Sequence, residues 1–564
     1  MTNSIGEIQD AACLLVIGSN TTEAHPIIGL QVRKAVRQKG ARLIVANPKE
    51  IDLCRLADLW LRLRPGTDVA LLNGLAHVIL RDGLHDASFV QERTDGFEAW
   101  KRAVERYTPD LVSKITGVPA EDIVRAAWLY ATGGRSDGPS TEQSTHHSSL
   151  IPDPSAAPSS ILYTMGITQH TTGTDNVKAI ANLAMLTGNL GKPSAGVNPL
   201  RGQSNVQGAC DMGCLPDVYT GYQKVALEDT RSKFEMAWGC RLPSEPGKTM
   251  PEMVEAIEAG RIKAMYILGE NPLLSDANIN HLRHALESLE FLVVQDIFLT
   301  ETAKLADVVL PGTTFAEKDG TFTNTERRVQ RLRKAINPVG RSRPDWQVIQ
   351  QVARLTAGKI GGEVAKLAEG FNQESPAEIL REIAAVTPSY AGISFERLEN
   401  GGLQWPVPTA DHPGTPILHV GKFTRGKGLF SPVEYLPAAE LPDSDYPILL
   451  TTGRRLQHYH TGTLTRRVQG LVSLVDREYV EIHPADAERL GLSNGELVKV
   501  ISRRGEAVGT ASVTSSVPEG VVFMDFHFSE SPANALTNSA YDPVAKIAEL
   551  KVCAVRLERP DAQS

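Results

Sequence analysis

Basic residues are not in excess in this chain. Lys and Arg number 58 against 66 Asp and Glu, a net charge of -8, which argues against a nucleic-acid scaffold while leaving room for a local basic cleft around a buried anion. Cysteine is scarce. The six residues Cys13, Cys54, Cys210, Cys214, Cys240 and Cys553 stand at irregular spacings that make no disulfide framework, so a reducing compartment is expected, and with it a cytoplasmic location. Only Cys210 and Cys214 lie close together. With no second pair or neighbouring His to complete a tetrahedral site, they are read as structural, and no metal ligand is assigned. Long apolar runs are missing too: nothing reaches membrane-spanning length, so no membrane span is expected, and Met1-Thr2-Asn3-Ser4-Ile5 is not a signal peptide.

What is present is an ordinary globular composition, 41% apolar and 22% charged, in 564 residues. That length is too great for one hydrophobic core and implies roughly three or four domains with deep clefts between them. Residues 13 to 20, Cys-Leu-Leu-Val-Ile-Gly-Ser-Asn, read as a buried strand ending in a tight turn. Residues 27 to 39 carry helical apolar spacing, and Ala41 to Ala46 reads as a second strand. This order predicts a parallel, doubly wound sheet with ligands beyond the carboxyl ends of its strands, where Asn20 and Asn47-Pro48-Lys49 stand.

From Gly133 to Ser160 the composition turns to Ser, Pro, Gly and Thr around a His146-His147 pair, which reads as a surface loop. A strand resumes at Ile161 to Gly166. A second α/β series follows, with strands at Ala264 to Leu268, Phe291 to Asp296 and Asp307 to Leu310. Beyond Trp405, short β-rich runs at Tyr446 to Thr452, Tyr479 to Ile482, Leu497 to Ser502 and Gly520 to Phe526 predict a terminal β-barrel.

Chemistry concentrates in Asn198-Pro199-Leu200-Arg201-Gly202-Gln203-Ser204-Asn205-Val206-Gln207-Gly208-Ala209-Cys210-Asp211-Met212-Gly213. Gly202 and Gly208 permit close backbone approach, the amides both donate and accept, and Arg201 is able to grip a carboxylate with two parallel bonds. A hydrogen-bonded turn with a salt-bridged Arg is the plainer alternative.

This run, with Leu186-Thr187-Gly188-Asn189-Leu190-Gly191-Lys192-Pro193 before it, resembles the molybdopterin oxidoreductase family, specifically its formate dehydrogenase branch. The likeness continues almost from Met1 to the last β-rich segment, apart from the Gly133 to Ser160 insertion. The fold expected is α/β: two doubly wound dinucleotide-binding domains plus a C-terminal β-barrel domain. The divisions are residues 1–203, 204–315, the remainder of the second domain with a connecting segment at 316–440, and the barrel at 441–564.

The resemblance implies two molybdopterin guanine dinucleotides around one Mo or W atom. It places Asn20, Lys49, Gly66 and Asp68 at cofactor positions after the first domain's strands, with Met165, Gln169 and Gln203 at inner positions. Asn271, Ser275, Gln295, Gly312 and Asp345 match in the second domain, where the Asp345 carboxylate suits the amino edge of guanine. Arg454, Arg455, His458 and His460 match the terminal-domain loop, with Phe526, Leu550 and Lys551 nearer the end. Departures fall at Ser204, where the branch has Asn, at Asn271, where it has Asp, at Arg455 and His460, and at Phe526 and Leu550, where Tyr is common.

Arg201 is the catalytic candidate, fixing formate by its charge. The stretch Glu317 to Arg328 resembles a further family signature and is given no catalytic role. In the family, a Cys-rich segment holding a 4Fe-4S cluster and a Cys or selenocysteine followed by His supply the cluster site and metal ligand. Those features would precede Met1, so the cluster is expected only in the complete protein. A selenocysteine codon taken as a stop, a mis-set start and a split enzyme are three accounts of this. The expected partners are formate and electron-transfer subunits carrying iron-sulfur clusters or flavin. A noncatalytic cofactor-binding or scaffold subunit, or another molybdopterin reductase such as a nitrate reductase, is the competing reading.

Overall fold

In the computed structural model residues 1–138 and 157–560 are described, so the His146-His147 pair lies outside the described residues. The chain forms two compact units. One comprises Met1–Gly202, Leu274–Asn280 and Ile417–Ser564, the other Gln203–Leu273 and His281–Pro416.

The first unit opens with a five-stranded parallel sheet of β1 (Cys13–Ile17), β2 (Arg42–Ala46), β3 (Leu59–Leu61), β4 (Ser159–Tyr163) and β5 (Gly196–Pro199), in the order β3-β2-β1-β4-β5. Every residue of β1 is buried, because a central parallel strand is covered on both faces. Cys13, Leu15 and Ile17 enter one apolar cluster and Leu14 and Val16 the other, the two-residue period of a strand. The helices α1 (Thr21–Ala24) and α2 (Pro26–Lys39) connect β1 to β2, and α2 stops at Gly40 in left-handed backbone at φ 72. Further along come α3 (Asp68–Arg81), α4 (Met165–Thr168) and α5 (Gly173–Leu186).

Two expectations need correction here. The strand read as Ile161 to Gly166 runs Ser159–Tyr163, and Met165 already opens α4. Ser159 and Ser160, read as the end of the loop, are buried strand residues; the Ser159 hydroxyl donates to the Tyr130 carbonyl at 2.6 Å, so a small polar residue is satisfied inside the sheet.

In the second unit α6 (Val206–Asp211) is followed by a three-stranded parallel sheet of β6 (Ala264–Leu268), β7 (Phe291–Asp296) and β8 (Val308–Pro311), with β7 in the middle. The Glu317 to Arg328 stretch becomes a hairpin. Its strands β9 (Gly320–Thr323) and β10 (Arg328–Leu332) pair antiparallel, and β11 (Leu403–Gln404) adds to β10. The long helix α7 (Asp345–Ile360) comes next after the hairpin in sequence, ahead of β11.

The C-terminal part of the first unit is the expected barrel. Strands β12 (Ile448–Gly453), β13 (Tyr479–Ile482), β14 (Leu497–Ile501), β15 (Glu506–Val513), β16 (Val521–Asp525) and β17 (Cys553–Glu558) close in the order β12-β16-β13-β15-β14-β17. Val480, Ile482, Val498, Val500, Val522, Met524 and Val555 fill its interior, so alternate residues of its strands point inward.

Candidate functional site

Strand order in the first sheet reverses between β1 and β4, and the crevice at the carboxyl ends of those strands is where such sheets bind ligands. Gly18, at φ 55, turns the chain there. Its carbonyl accepts from Thr164 Oγ1 at 2.8 Å and from the Gly166 amide at 3.1 Å, and a Cβ on Gly18 would stand 2.8 Å from the Gly166 carbonyl carbon. β5 ends at Pro199, which delivers Arg201 to the same edge of the sheet. The Arg201 carbonyl meets His25 Nε2 at 2.8 Å. A Cβ on Gly202 would lie 2.7 Å from Arg454 Nη1, so only bare backbone lets that guanidinium come against the loop. The barrel thus contributes directly to the edge that carries Arg201.

Arg454 is partly buried with its guanidinium 5.8 Å from the Phe526 ring, and it has no carboxylate partner among the described residues. Lys551 donates to the Thr452 carbonyl at 2.8 Å and likewise has no acidic partner among them. Burial of its ammonium, reinforced by the Arg454 charge, brings Lys551 down to about 7. The imidazoles around these cations are kept neutral, chiefly by burial: His170 falls to about 4 and His460 to about 3, with Lys551 adding to the first shift and Arg454 to the second. His527, also drawn down to about 4 by burial, donates from Nδ1 to the His460 carbonyl. Cations without counter-charge beside neutral rings make a recess suited to an anion.

Other expected site residues are engaged with protein groups. Lys49 pairs with Glu481 at 2.7 Å and lies 3.7 Å over the Phe523 ring. Arg455 reaches Asp525 at 2.6 Å and Glu481 at 3.5 Å, so it neutralises buried carboxylates rather than facing a ligand. His458 meets the Val475 carbonyl at 2.7 Å, and the Leu550 carbonyl accepts from Thr452 Oγ1 at 2.6 Å. Asn20 stands at the N-cap position of α1, three residues past β1, without a capping hydrogen bond from its side chain, and Met165 and Gln169 bracket α4. Gly66, at φ 79, leaves its Cβ position 4.0 Å from His170 Nδ1, and two residues on the buried Asp68 begins α3, where burial lifts its carboxyl to about 7. Ser275 also belongs to this unit, its carbonyl accepting from Asn534 at 3.1 Å.

Within the second unit, Gln295, Gly312 and Asp345 come together at the carboxyl ends of β7 and β8. Gln295 Nε2 donates to Asp345 at 2.8 Å, and a Cβ on Gly312 would stand 2.9 Å from the same carboxylate. Lys318 pairs with Asp345, and the Tyr266 hydroxyl donates to Gln295. Asn271 is instead buried in a local network, donating to Glu301 at 2.8 Å and accepting from Thr302. The Gln203 carbonyl accepts from Val206 at the start of α6.

Sequence reasoning missed His25 and His170. The second lies in the short connection between the four-residue α4 and the 14-residue α5, a place that apolar periodicity in the sequence does not mark.

Residues 1–355 match the family described as Molybdopterin oxidoreductase, and residues 448–554 match the Molydopterin dinucleotide binding domain. The chain belongs to the molybdopterin oxidoreductase family. Among molybdopterin oxidoreductases it is 50% identical to the F420-dependent formate dehydrogenase subunit alpha of Methanocaldococcus jannaschii, over 99% of this chain and 78% of that protein. It is 38% identical to formate dehydrogenase H of Escherichia coli, over 99% of this chain and 74% of that protein. The acetylene hydratase of Pelobacter acetylenicus shares the fold, with a TM-score of 0.72 at 19% identity, over 99% of this chain and 81% of that one. A molybdopterin guanine dinucleotide carries a diphosphate and a heterocycle rich in donors and acceptors. Arg454 and Lys551, which have no carboxylate partner among the described residues, fit its charge, and the orphaned buried Nδ1 atoms of His25 and His170 fit its ring edges. No helix among the described residues is long and apolar enough to cross a membrane.

Proposed function

We propose that this chain is the catalytic subunit of a formate dehydrogenase, oxidising formate to carbon dioxide at a bis-molybdopterin guanine dinucleotide centre of Mo or W and passing electrons to an iron-sulfur cluster. The observation that carries this reading is the position of Arg201 at the carboxyl edge of the first sheet, one residue before the bare backbone on which Arg454 packs. Formate offers one carboxylate and one C–H bond, and its oxidation releases carbon dioxide, a proton and two electrons. When bound, the metal centre supplies the two-electron acceptor.

The chain's own residues do the rest. Arg201 orients the carboxylate through paired N–H donors of its guanidinium, which restricts the approach of the C–H bond. Within the first unit Arg454 and Lys551 hold the anionic cofactor, helped by Asn20, Gly66 and Asp68; within the second unit Gln295, Gly312 and Asp345 form a separate candidate cofactor group. Because His170, His460 and His527 are neutral near pH 7, the positive charge in the first unit's recess sits on the Arg201 and Arg454 guanidiniums, joined by Lys551, which at about 7 is half protonated at that pH. As an alpha-type subunit the chain works with electron-transfer subunits bearing iron-sulfur clusters or flavin, and its six free thiols support placing it in the cytoplasm.

The test is to purify the protein with its partners from its own cells and measure Mo, W, guanine-dinucleotide pterin and formate-dependent dye reduction. Metal, pterin and formate oxidation together are expected. Pterin with nitrate reduction and no formate oxidation would make it another reductase, and absence of both metal and pterin would make it a scaffold subunit.

A further inference from the structure

His25 and His170 are set up in the same way, although they lie on different connections of the first sheet. The Nε2 of His25 is 2.8 Å from the Arg201 carbonyl, and that of His170 is 2.9 Å from the Gly166 carbonyl. A carbonyl only accepts, so both rings carry their proton on Nε2 and present a bare lone pair at Nδ1. Both Nδ1 atoms are buried and have no hydrogen-bond partner among the described residues. An unmet buried acceptor destabilises a fold, so its persistence at two equivalent places points to a missing donor.

Each ring has a cation in its neighbourhood. His25 and Arg454 both contact the Arg201-Gly202 dipeptide, the first through the Arg201 carbonyl and the second against the Gly202 Cα. A Cβ at Gly66 would stand 4.0 Å from His170 Nδ1 and 3.5 Å from Val552, the residue after Lys551. Each neighbourhood therefore holds a cationic donor as well as an imidazole acceptor. A phosphate oxygen satisfies the cation but sets its own lone pair against that of the imidazole. A ring edge with an N–H next to a carbonyl or ring nitrogen satisfies both.

We infer that His25 and His170 are two further ligand-contacting residues, each accepting a hydrogen bond from an N–H of a pterin-type heterocycle whose adjacent acceptor is met by Arg454 or Lys551. This rests on the reading of the recess as a pterin dinucleotide site, and it assigns these two places to heterocycle edges and not to phosphates.

Gln and Asn substitutions separate the two nitrogens of each ring. In His170→Gln and His25→Gln the longer amide still donates to the backbone carbonyl but carries no acceptor where Nδ1 stood. In His170→Asn and His25→Asn an acceptor is restored near Nδ1 while the carbonyl contact is given up. The protein is purified with its partners, and its pterin content is measured by fluorescence after oxidation, beside the melting temperature of the pterin-free form. The Gln variants are expected to lose pterin roughly tenfold, the effect of one buried hydrogen bond, without a fall in melting temperature, and the Asn variants to retain more pterin than the Gln variants. Gln variants that load like the parent, or Asn variants that lose pterin and melt lower while the Gln variants do neither, would overturn the assignment and leave the rings a structural role. Should a variant not fold, nitrogen-15 spectra of the labelled parent decide instead: both Nδ1 signals shift on pterin loading, and unmoved signals refute the contact. A parent without any pterin would bring down the reading of the site itself.

Discussion

Arg201, Arg454 and Arg455 show how one side-chain type is assigned three roles by its surroundings. Arg455 is charge-balanced by Asp525 and Glu481, Arg454 lacks a carboxylate among the described residues, and Arg201 stands at the sheet edge beside it. A single paired fork is what distinguishes Arg from Lys at a carboxylate. Arg201→Lys is therefore expected to raise KM for formate and lower kcat, with kcat/KM falling by about 10- to 100-fold, the scale of one charge-assisted hydrogen bond of about 1.5–3 kcal/mol. Pterin content should not change. Steady-state kinetics with pterin analysis checks this, and an unchanged kcat/KM would remove Arg201 from the substrate site.

Among the elements, the start of α5 ties the C-terminal segment to the first sheet. Thr171 donates through its amide and hydroxyl to Glu549 at 3.2 and 3.1 Å, and Thr174 does so to Asp542 at 2.8 Å for each bond. Carboxylates are favourable there because the first turn of a helix has free N–H groups and a positive dipole end. Burial alone would raise Asp542, yet the bonds from Thr174, Ala545 and Val544 hold it below the usual carboxylate range. This latch carries Leu550 and Lys551 on its far end. Asp542→Ala and Thr174→Ala should each lower stability by about 1–2 kcal/mol, and the double variant should be little worse than either, since both remove one contact. Urea unfolding of the four proteins measures the coupling; strictly additive losses would mean the latch does not act as a unit.

For the whole molecule, the neutral buried histidines make stability depend on pH with a definite sign. His170 and His527 protonate at about 4 when folded but near 6.5 in an unfolded chain. Between those values the unfolded state binds more protons, so stability rises with pH and is lost on acidification, by at most about 1.4 kcal/mol per pH unit for each ring. Lys551, at about 7 when folded, acts in the same direction from there up to its ordinary range. Urea midpoints of the pterin-free protein from pH 7 to 4.5 should fall more steeply in the parent than in His170→Gln or His527→Gln. Equal slopes would show that these rings are already charged in the folded state.

Local pattern alone determined the first βαβ unit, the three strands of the second sheet to within a residue, and four of the six strands of the terminal barrel, Glu506–Val513 and Cys553–Glu558 being missed, because the periods of strand and helix and the residues that turn the chain are properties of neighbours in sequence. The loop around Arg201 was legible only as a polar, glycine-containing run that an ordinary hydrogen-bonded turn explains equally; its likeness to the family, not its local pattern, made Arg201 a candidate. Partner choice was not legible. Nothing adjacent to Lys49 or Arg455 announces Glu481 and Asp525, and nothing adjacent to Arg454 announces Gly202. Only closure of the barrel against the first sheet decided which cations are balanced, which remain for an anion, and which imidazole nitrogens are buried without a donor, since those depend on groups hundreds of residues apart meeting where water is excluded.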